Sequence, residues 1–204
     1  MDALEALRAA DPVLGALIAA HGQLDVEARR RGRPADAYGA LVRSILGQQL
    51  STKAARAIYE RLTALFGGRT PSPQELLSAD PETVRAVGLS RPKVGYLRDL
   101  ATRVLDGELE LDRLSELSDE EVSAQLIAVK GLGQWTVDMF LMFHLGRPDI
   151  LPVGDLGIRR AVERAYGLPE MPDPASLIQV AEPWRPDRTL ASLYLWRSLD
   201  NEPA

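Results

Sequence analysis

Leu126-Ile127-Ala128-Val129-Lys130-Gly131-Leu132-Gly133-Gln134-Trp135-Thr136 is the stretch on which the fold turns. One apolar-periodic segment closes at Leu126-Ile127 and another opens at Gln134, with two glycines around one leucine between them. Glycine permits positive φ and close backbone approach, so the stretch reads as a tight hairpin between two helices. The first amides of the second helix lack intrahelical partners, and with the helix dipole they make an anion site suited to a DNA phosphate. The plain alternative is a turn whose glycines only permit packing, because short glycine motifs are weak evidence. A dinucleotide-binding turn is disfavoured, since no strand precedes it and position 136 is Thr rather than Gly.

Downstream, Val137, Met139, Phe140, Leu141, Met142 and Phe143 are apolar almost all round, which predicts a centrally buried helix. Elsewhere the periodicity is also helical. Ser51 to Phe66 aligns Ala54, Ala55, Ile58, Leu62, Leu65 and Phe66 on one face, and Pro92 to Leu105 aligns Val94, Leu97, Leu100, Ala101 and Val104. Helix starts are marked by Ser72-Pro73-Gln74-Glu75, Asp80-Pro81, Ser118-Asp119-Glu120-Glu121 and Asp173-Pro174, and Gly88 reads as a helix stop. No alternating strand pattern occurs. The chain is therefore all-α, with about ten to twelve short helices. Gly32-Arg33-Pro34 and Gly146-Arg147-Pro148 read as linkers between lobes.

The 204 residues are 46% hydrophobic, enough for one large domain or two small lobes. Cysteine is absent, which excludes disulfides, thiolate zinc sites, iron–sulfur clusters and a cysteine nucleophile. Met1-Asp2-Ala3-Leu4-Glu5 begins neither a signal peptide nor a membrane span, and a reducing cytoplasm fits the composition. The net charge of −5 argues against a general nucleic-acid coat but leaves room for a local basic face. His21 and His144 have no metal-ligand spacing around them.

Leu151-Pro152-Val153-Gly154-Asp155-Leu156-Gly157-Ile158 leaves a loop and enters a helix, placing Asp155 at an N-cap. Capping alone would explain an aspartate there. A fixed carboxylate also suits the cleavage of an N-glycosidic bond, where it stabilises the positive charge that develops on the sugar and can orient or activate water. The two roles are compatible.

Taken together, the hairpin run Ile127 to Thr136 followed by Asp155 resembles the helix-hairpin-helix (HhH-GPD) DNA glycosylase superfamily, nearest to its bacterial 3-methyladenine DNA glycosylase II type. Three further segments carry the resemblance, which spans about Tyr38 to Trp196: Ser44-Ile45-Leu46-Gly47-Gln48-Gln49-Leu50-Ser51, Gly88-Leu89-Ser90-Arg91-Pro92-Lys93, and Trp184-Arg185-Pro186 with Leu193-Tyr194-Leu195-Trp196. The resemblance implies one glycosylase unit over 1–204, built from two helical lobes with the active-site cleft between them. Lobe one would be about 36–150 and contain the hairpin, and lobe two would be about 1–35 plus 151–204. The residues before Tyr38 leave no room for the β-rich domain of larger members, so a compact form is expected.

The same resemblance implies that Asp155 is the catalytic acid and that Gly131, Gly133, Gln134 and Thr136 bind a DNA phosphate. It implies that the backbone carbonyls of Ile127, Val129 and Leu132 hold a sodium or potassium ion, with no cofactor for the chemistry itself. Bifunctional members carry a Schiff-base lysine where this chain has Trp135, so a monofunctional enzyme that leaves an abasic site is expected. The target nucleotide must be flipped out of the duplex, and Gln48, Gln49 and Leu50 match the wedge that fills the gap. A known member has an apolar residue at the position of Gln49; a glutamine there could also pair with the orphaned base. Alkylated purines are cationic, and Trp135, Trp184 and Tyr38 are candidates to stack on them, with Trp184 the better match to the family's pocket tryptophan. Ordinary core packing competes for each of the three, and Trp196 reads as core. Arg91, Lys93 and Arg98 could reach phosphates or simply form a solvated face.

The expectation is a monomeric base-excision repair enzyme of the bacterial cytoplasm. It would release alkylated bases such as 3-methyladenine and 7-methylguanine from damaged double-stranded DNA, with no membrane involved. A non-catalytic helix-hairpin-helix DNA-binding module would need the glycines but not Asp155. A helical protein–protein scaffold would need neither.

Overall fold

The computed structural model describes residues 2–25 and 33–199, so Met1 and Gly32 of the first expected linker lie outside the described residues. The helices, in chain order, are α1 Ala3–Ala10, α2 Pro12–His21, α3 Ala37–Gly47, α4 Thr52–Leu65, α5 Pro73–Ser78, α6 Pro81–Arg85, α7 Arg91–Leu105, α8 Asp119–Ile127, α9 Gln134–Phe140, α10 Leu156–Tyr166, α11 Pro174–Val180 and α12 Arg188–Ser198. Short 3₁₀ turns occupy Leu111–Glu116 and Glu182–Trp184. No strand occurs among the described residues.

The start signals work by local chemistry. Ser72 and Ser118 form full capping boxes with Glu75 and Glu121. Asp80 and Asp173 accept from the third backbone N–H of α6 and α11. Each cap satisfies amides that the helix leaves orphaned. After α6, Gly88 takes a φ of 110° and its N–H closes onto the Arg85 carbonyl, which ends the helix.

The described residues divide into two units: 2–25 with 141–199, and 33–140. In the first, α12 packs on α2 and α10, and α1 packs on α2. Its core holds fully buried Trp184, Tyr194 and Trp196. The buried Asp11 carboxylate caps α2 and accepts from Trp184 Nε1 at 2.8 Å and from the Tyr166 hydroxyl, so the polar end of each ring is satisfied. In the second unit, α7 is the scaffold, packed against α3, α5 and α6. Arg98 donates to the Leu76 and Leu77 carbonyls near the end of α5 and is a strut there rather than a free phosphate ligand.

The helix after the hairpin is buried from Thr136 through Phe143, as its apolar sequence predicts. It does not stay α-helical: Leu141–Leu145 widen into a π turn. The expected change of lobe after residue 150 falls later than the observed division before Leu141. The physical reason is that the π turn already packs in the first unit, where Phe143 stacks on Trp196 with ring centroids 6.3 Å apart. Among the described residues, no helix is long and apolar enough to cross a membrane.

Candidate active site

Asp155 ends the loop Leu151–Gly154 and caps α10. Its own N–H is held by the Pro152 carbonyl at 2.9 Å, which fixes the backbone. The side chain is buried, with 9% exposure. Oδ1 accepts from the Ile158 N–H at 2.8 Å and from Trp196 Nε1 at 3.0 Å. Two donors on one oxygen set the plane of the carboxyl, leaving a preorganised acid at a helix start. From its sequence position Trp196 reads as core. It is core, at 1% exposure, and it also orients the acid. Nothing in local spacing announces that bond, because the two residues meet only through the packing of α10 on α12.

The hairpin lies in the other unit. Gly131 has φ 82°, and a Cβ there would sit 2.2 Å from the Tyr96 ring, so both backbone conformation and space demand glycine. Gly133 differs: its φ is not positive, and a Cβ would meet nothing within 4 Å. Its lack of a side chain therefore serves no contact within the chain; it leaves the backbone open to an outside group. Lys130 is tethered to α7, its N–H donating to Asp99 Oδ2 at 3.0 Å and its ammonium lying 3.3 Å from Oδ1. Burial pushes the Asp99 carboxyl up, but the Lys130 N–H, Arg103 and the Lys130 ammonium outweigh it, so Asp99 sits below the usual carboxylate range.

Two of the expected phosphate ligands are used internally. Thr136 is buried, and its N–H closes onto the Gly133 carbonyl at 2.9 Å, so its amide is not available to a phosphate. The Gln134 side chain bridges Ser123 and Asp138, leaving only its backbone for an anion. Among the hairpin carbonyls, Val129 accepts the Leu132 N–H. Those of Ile127 and Leu132 accept no hydrogen bond among the described residues. Three hard carbonyl oxygens on one short loop are a donor set that fits an alkali cation.

The third feature is the turn after α3. Leu50 N–H donates to the Gly47 carbonyl at 3.1 Å, with Gln48 at φ −52°, ψ 129° and Gln49 at φ 59°. This is a type II turn, whose third position calls for glycine or asparagine. Gln49 is exposed at its tip, and Leu50 is half-buried behind it. The Gln48 side chain reaches across to the hairpin and donates to the Gly131 carbonyl at 2.7 Å. The structure thus joins the expected wedge to the expected phosphate loop within one unit.

The three aromatic candidates separate. Trp135 is exposed (41%) at the start of α9. Trp184 is fully buried, and its Nε1 donates to Asp11, so in this structure it packs in the core of its unit rather than at an open surface. Tyr38 is buried at the opposite end of α3 from the Gln48 turn, about 15 Å away along the axis at ~1.5 Å per residue. It lines a groove of about 830 Å³ with Pro34, Tyr59, Pro71, Leu109 and Arg113, apart from both hairpin and wedge. Of the two basic candidates at the start of α7, Arg91 is exposed. Lys93 is not a free cation: its ammonium donates to the carbonyls of Leu46 at 2.8 Å and Gln48 at 2.7 Å.

Residues 42–186 match the model of the HhH-GPD superfamily of base excision DNA repair proteins. DNA-3-methyladenine glycosylase 1 of Schizosaccharomyces pombe is 37% identical over 163 residues, covering 79% of this chain and 72% of that protein. The Bacillus subtilis relative YfjP is 32% identical over 169 residues, covering 80% of this chain; the chain spans only 59% of that relative's length. The solved structure of the Schizosaccharomyces pombe 3-methyladenine DNA glycosylase Mag1 in complex with abasic DNA superposes with a TM-score of 0.86 at 32% identity. That match covers 98% of this chain and 97% of the other.

Proposed function

The chain belongs to the HhH-GPD superfamily of base excision DNA repair proteins, and from that membership we propose that it is a monofunctional glycosylase that releases alkylated bases from double-stranded DNA. The observation that carries the reading is Asp155: a buried carboxylate at a helix start, with one oxygen fixed by Ile158 N–H and Trp196 Nε1. Such a group has one geometry in which to face a reacting sugar.

The chemistry runs as a hydrolysis. The bond between C1′ and the base nitrogen breaks, and the base leaves with the electron pair. Alkylation at N3 or N7 makes the purine cationic, so it departs as a neutral molecule. Positive charge develops on the sugar ring, and the Asp155 carboxylate stabilises it electrostatically. Water adds to C1′ as its proton passes to the carboxylate, and an abasic site remains. Trp135 stands where bifunctional relatives carry a lysine, so no Schiff base forms and the strand stays uncut. Trp135 is exposed beside the hairpin, and stacking of its indole on a cationic base would be worth roughly 0.5–2 kcal/mol.

Binding is assigned to the hairpin and the turn. The backbone around Gly131, Gly133 and Gln134 takes a phosphate, aided by Arg91. An alkali cation on the Ile127, Val129 and Leu132 carbonyls would add positive charge at that loop. Gln49 enters the base stack when the target nucleotide flips. The enzyme acts as a monomer on DNA in the cytoplasm.

The test is a panel of single-lesion duplexes, including 7-methylguanine and 1,N6-ethenoadenine, assayed for abasic sites with and without alkali. Base release with strand breaks only after alkali is the expected result. Tight binding to lesion duplexes with no abasic product would instead identify a non-catalytic binding module.

A further inference from the structure

Helix α7 sends three side chains, at three-residue spacing, to two segments that are distant in sequence. Lys93 takes the carbonyls of Leu46 and Gln48 at the end of α3. Tyr96 lies against Gly131 of the hairpin. Asp99 holds the Lys130 N–H. Residues three apart share a helix face, so one rigid face of α7 supports both the Gln48-Gln49 turn and the hairpin. The Gln48 amide closes the triangle on the Gly131 carbonyl.

The Lys93 contact is unusual for a cation at a helix start. Carbonyls at the end of α3 have no helical partners and carry the negative end of its dipole, so an ammonium among them is favourable. Two of its three N–H bonds are spent there. Burial pulls the amine below its ordinary range, which is consistent with a group facing the protein. Next to it stands Gln49, a non-glycine residue at φ 59° and exposed. Such a conformation persists only where the surroundings over-determine it.

We propose that Lys93 is a positioning residue for strand opening: it holds the Gln48-Gln49 turn in the strained shape that drives Gln49 into the base stack, and it is not a phosphate anchor. This rests on the glycosylase reading above, with Gln49 as the wedge. A phosphate anchor and a strut make opposite predictions. Losing a phosphate contact weakens binding to any duplex and lowers the salt slope by about one. Losing a strut leaves undamaged-duplex binding alone and slows only those reactions in which a paired base must be forced out.

The experiment compares wild type, Lys93→Met and Lys93→Arg. Affinity for an undamaged duplex is measured across a salt series. Single-turnover release is measured for 7-methylguanine opposite cytosine and opposite a tetrahydrofuran gap, where no pairing opposes flipping. Lys93→Met should keep the wild-type salt slope, lose about tenfold or more on the paired lesion and no more than about threefold on the unpaired one, because pairing adds to the cost of flipping. Lys93→Arg, whose guanidinium can span two carbonyls, should recover most of the loss. A reduced salt slope, or equal slowing on both duplexes, overturns the proposal. Should Lys93→Met fail to fold, Gln48→Met, which breaks only the link to Gly131, must show the same preference for the paired lesion, and equal slowing again overturns it. A wild type that releases no 7-methylguanine from either duplex contradicts the glycosylase reading instead. In that case 2-aminopurine fluorescence decides about Lys93: opening by wild type but not by Lys93→Met supports it, and equal opening refutes it.

Discussion

Gln49 has the one positive φ outside glycine among the described residues, at a turn position that favours glycine. A left-handed conformation costs a residue with a Cβ roughly 1–2 kcal/mol. Gln49→Gly should therefore fold at wild-type stability or up to about 1 kcal/mol above it by denaturant titration, after glycine's own entropic cost. Release of a paired lesion should nevertheless fall, by about tenfold or more if the side chain fills the gap left by flipping. A matching case is Trp196. Trp196→Phe keeps most of the apolar bulk but deletes the donor to Asp155 Oδ1. Losing one hydrogen bond to a charged group, about 1.5–3 kcal/mol, should slow single-turnover base release about tenfold or more, with little change in duplex affinity. Asp155 itself was legible in the sequence because an N-cap is a local signal. Trp196 was legible only as an apolar position, since its partner lies on another helix.

At the scale of elements, the hairpin glycines have separate roles that their shared motif conceals. Gly131→Ala places a methyl against the Tyr96 ring and forces alanine to φ 82°. It should destabilise the fold by about 2–4 kcal/mol, read as a lower midpoint in urea. Gly133→Ala meets nothing in the protein. It should fold normally and weaken duplex binding, because the methyl projects into the space a phosphate needs. Equal stability loss in both variants would contradict the assignment. The Asp99 tether should be indifferent to pH across the working range. Its carboxyl is held below its ordinary value, so its stabilisation is complete above the unfolded pKa and is lost only as pH falls through the lowered one. Between about pH 5 and 8, thermal stability should not shift on its account. Capping boxes, Gly88 and the hairpin were readable because each is an exchange between residues a few positions apart. The support of the hairpin by Tyr96 and Asp99, the Lys93 strut and the burial of Trp184 were not readable, because sequence spacing does not say which helix faces meet. Thr136 and Lys93 looked like phosphate ligands by position and proved to have partners inside the chain.

For the molecule as a whole, composition and periodicity sufficed for an all-α chain, and the structure adds its division into two units with the change at Leu141. The sequence pointed to the later glycine–proline linker, because a π turn that packs in the first unit has the same apolar pattern as the α-helix it continues. Acids outnumber bases, 29 to 24, so any DNA contact must come from local backbone and a few cations rather than a basic coat. The reading of the chain as an enzyme rather than a binder rests on Asp155, and the most direct measurement is single-turnover release of 7-methylguanine from a duplex by wild type and Asp155→Asn. Asparagine keeps the cap geometry but removes the charge. Release should fall by at least about a hundredfold, the scale of one lost electrostatic group, while affinity for the lesion duplex and thermal stability change little. Release by Asp155→Asn at the wild-type rate would contradict the account.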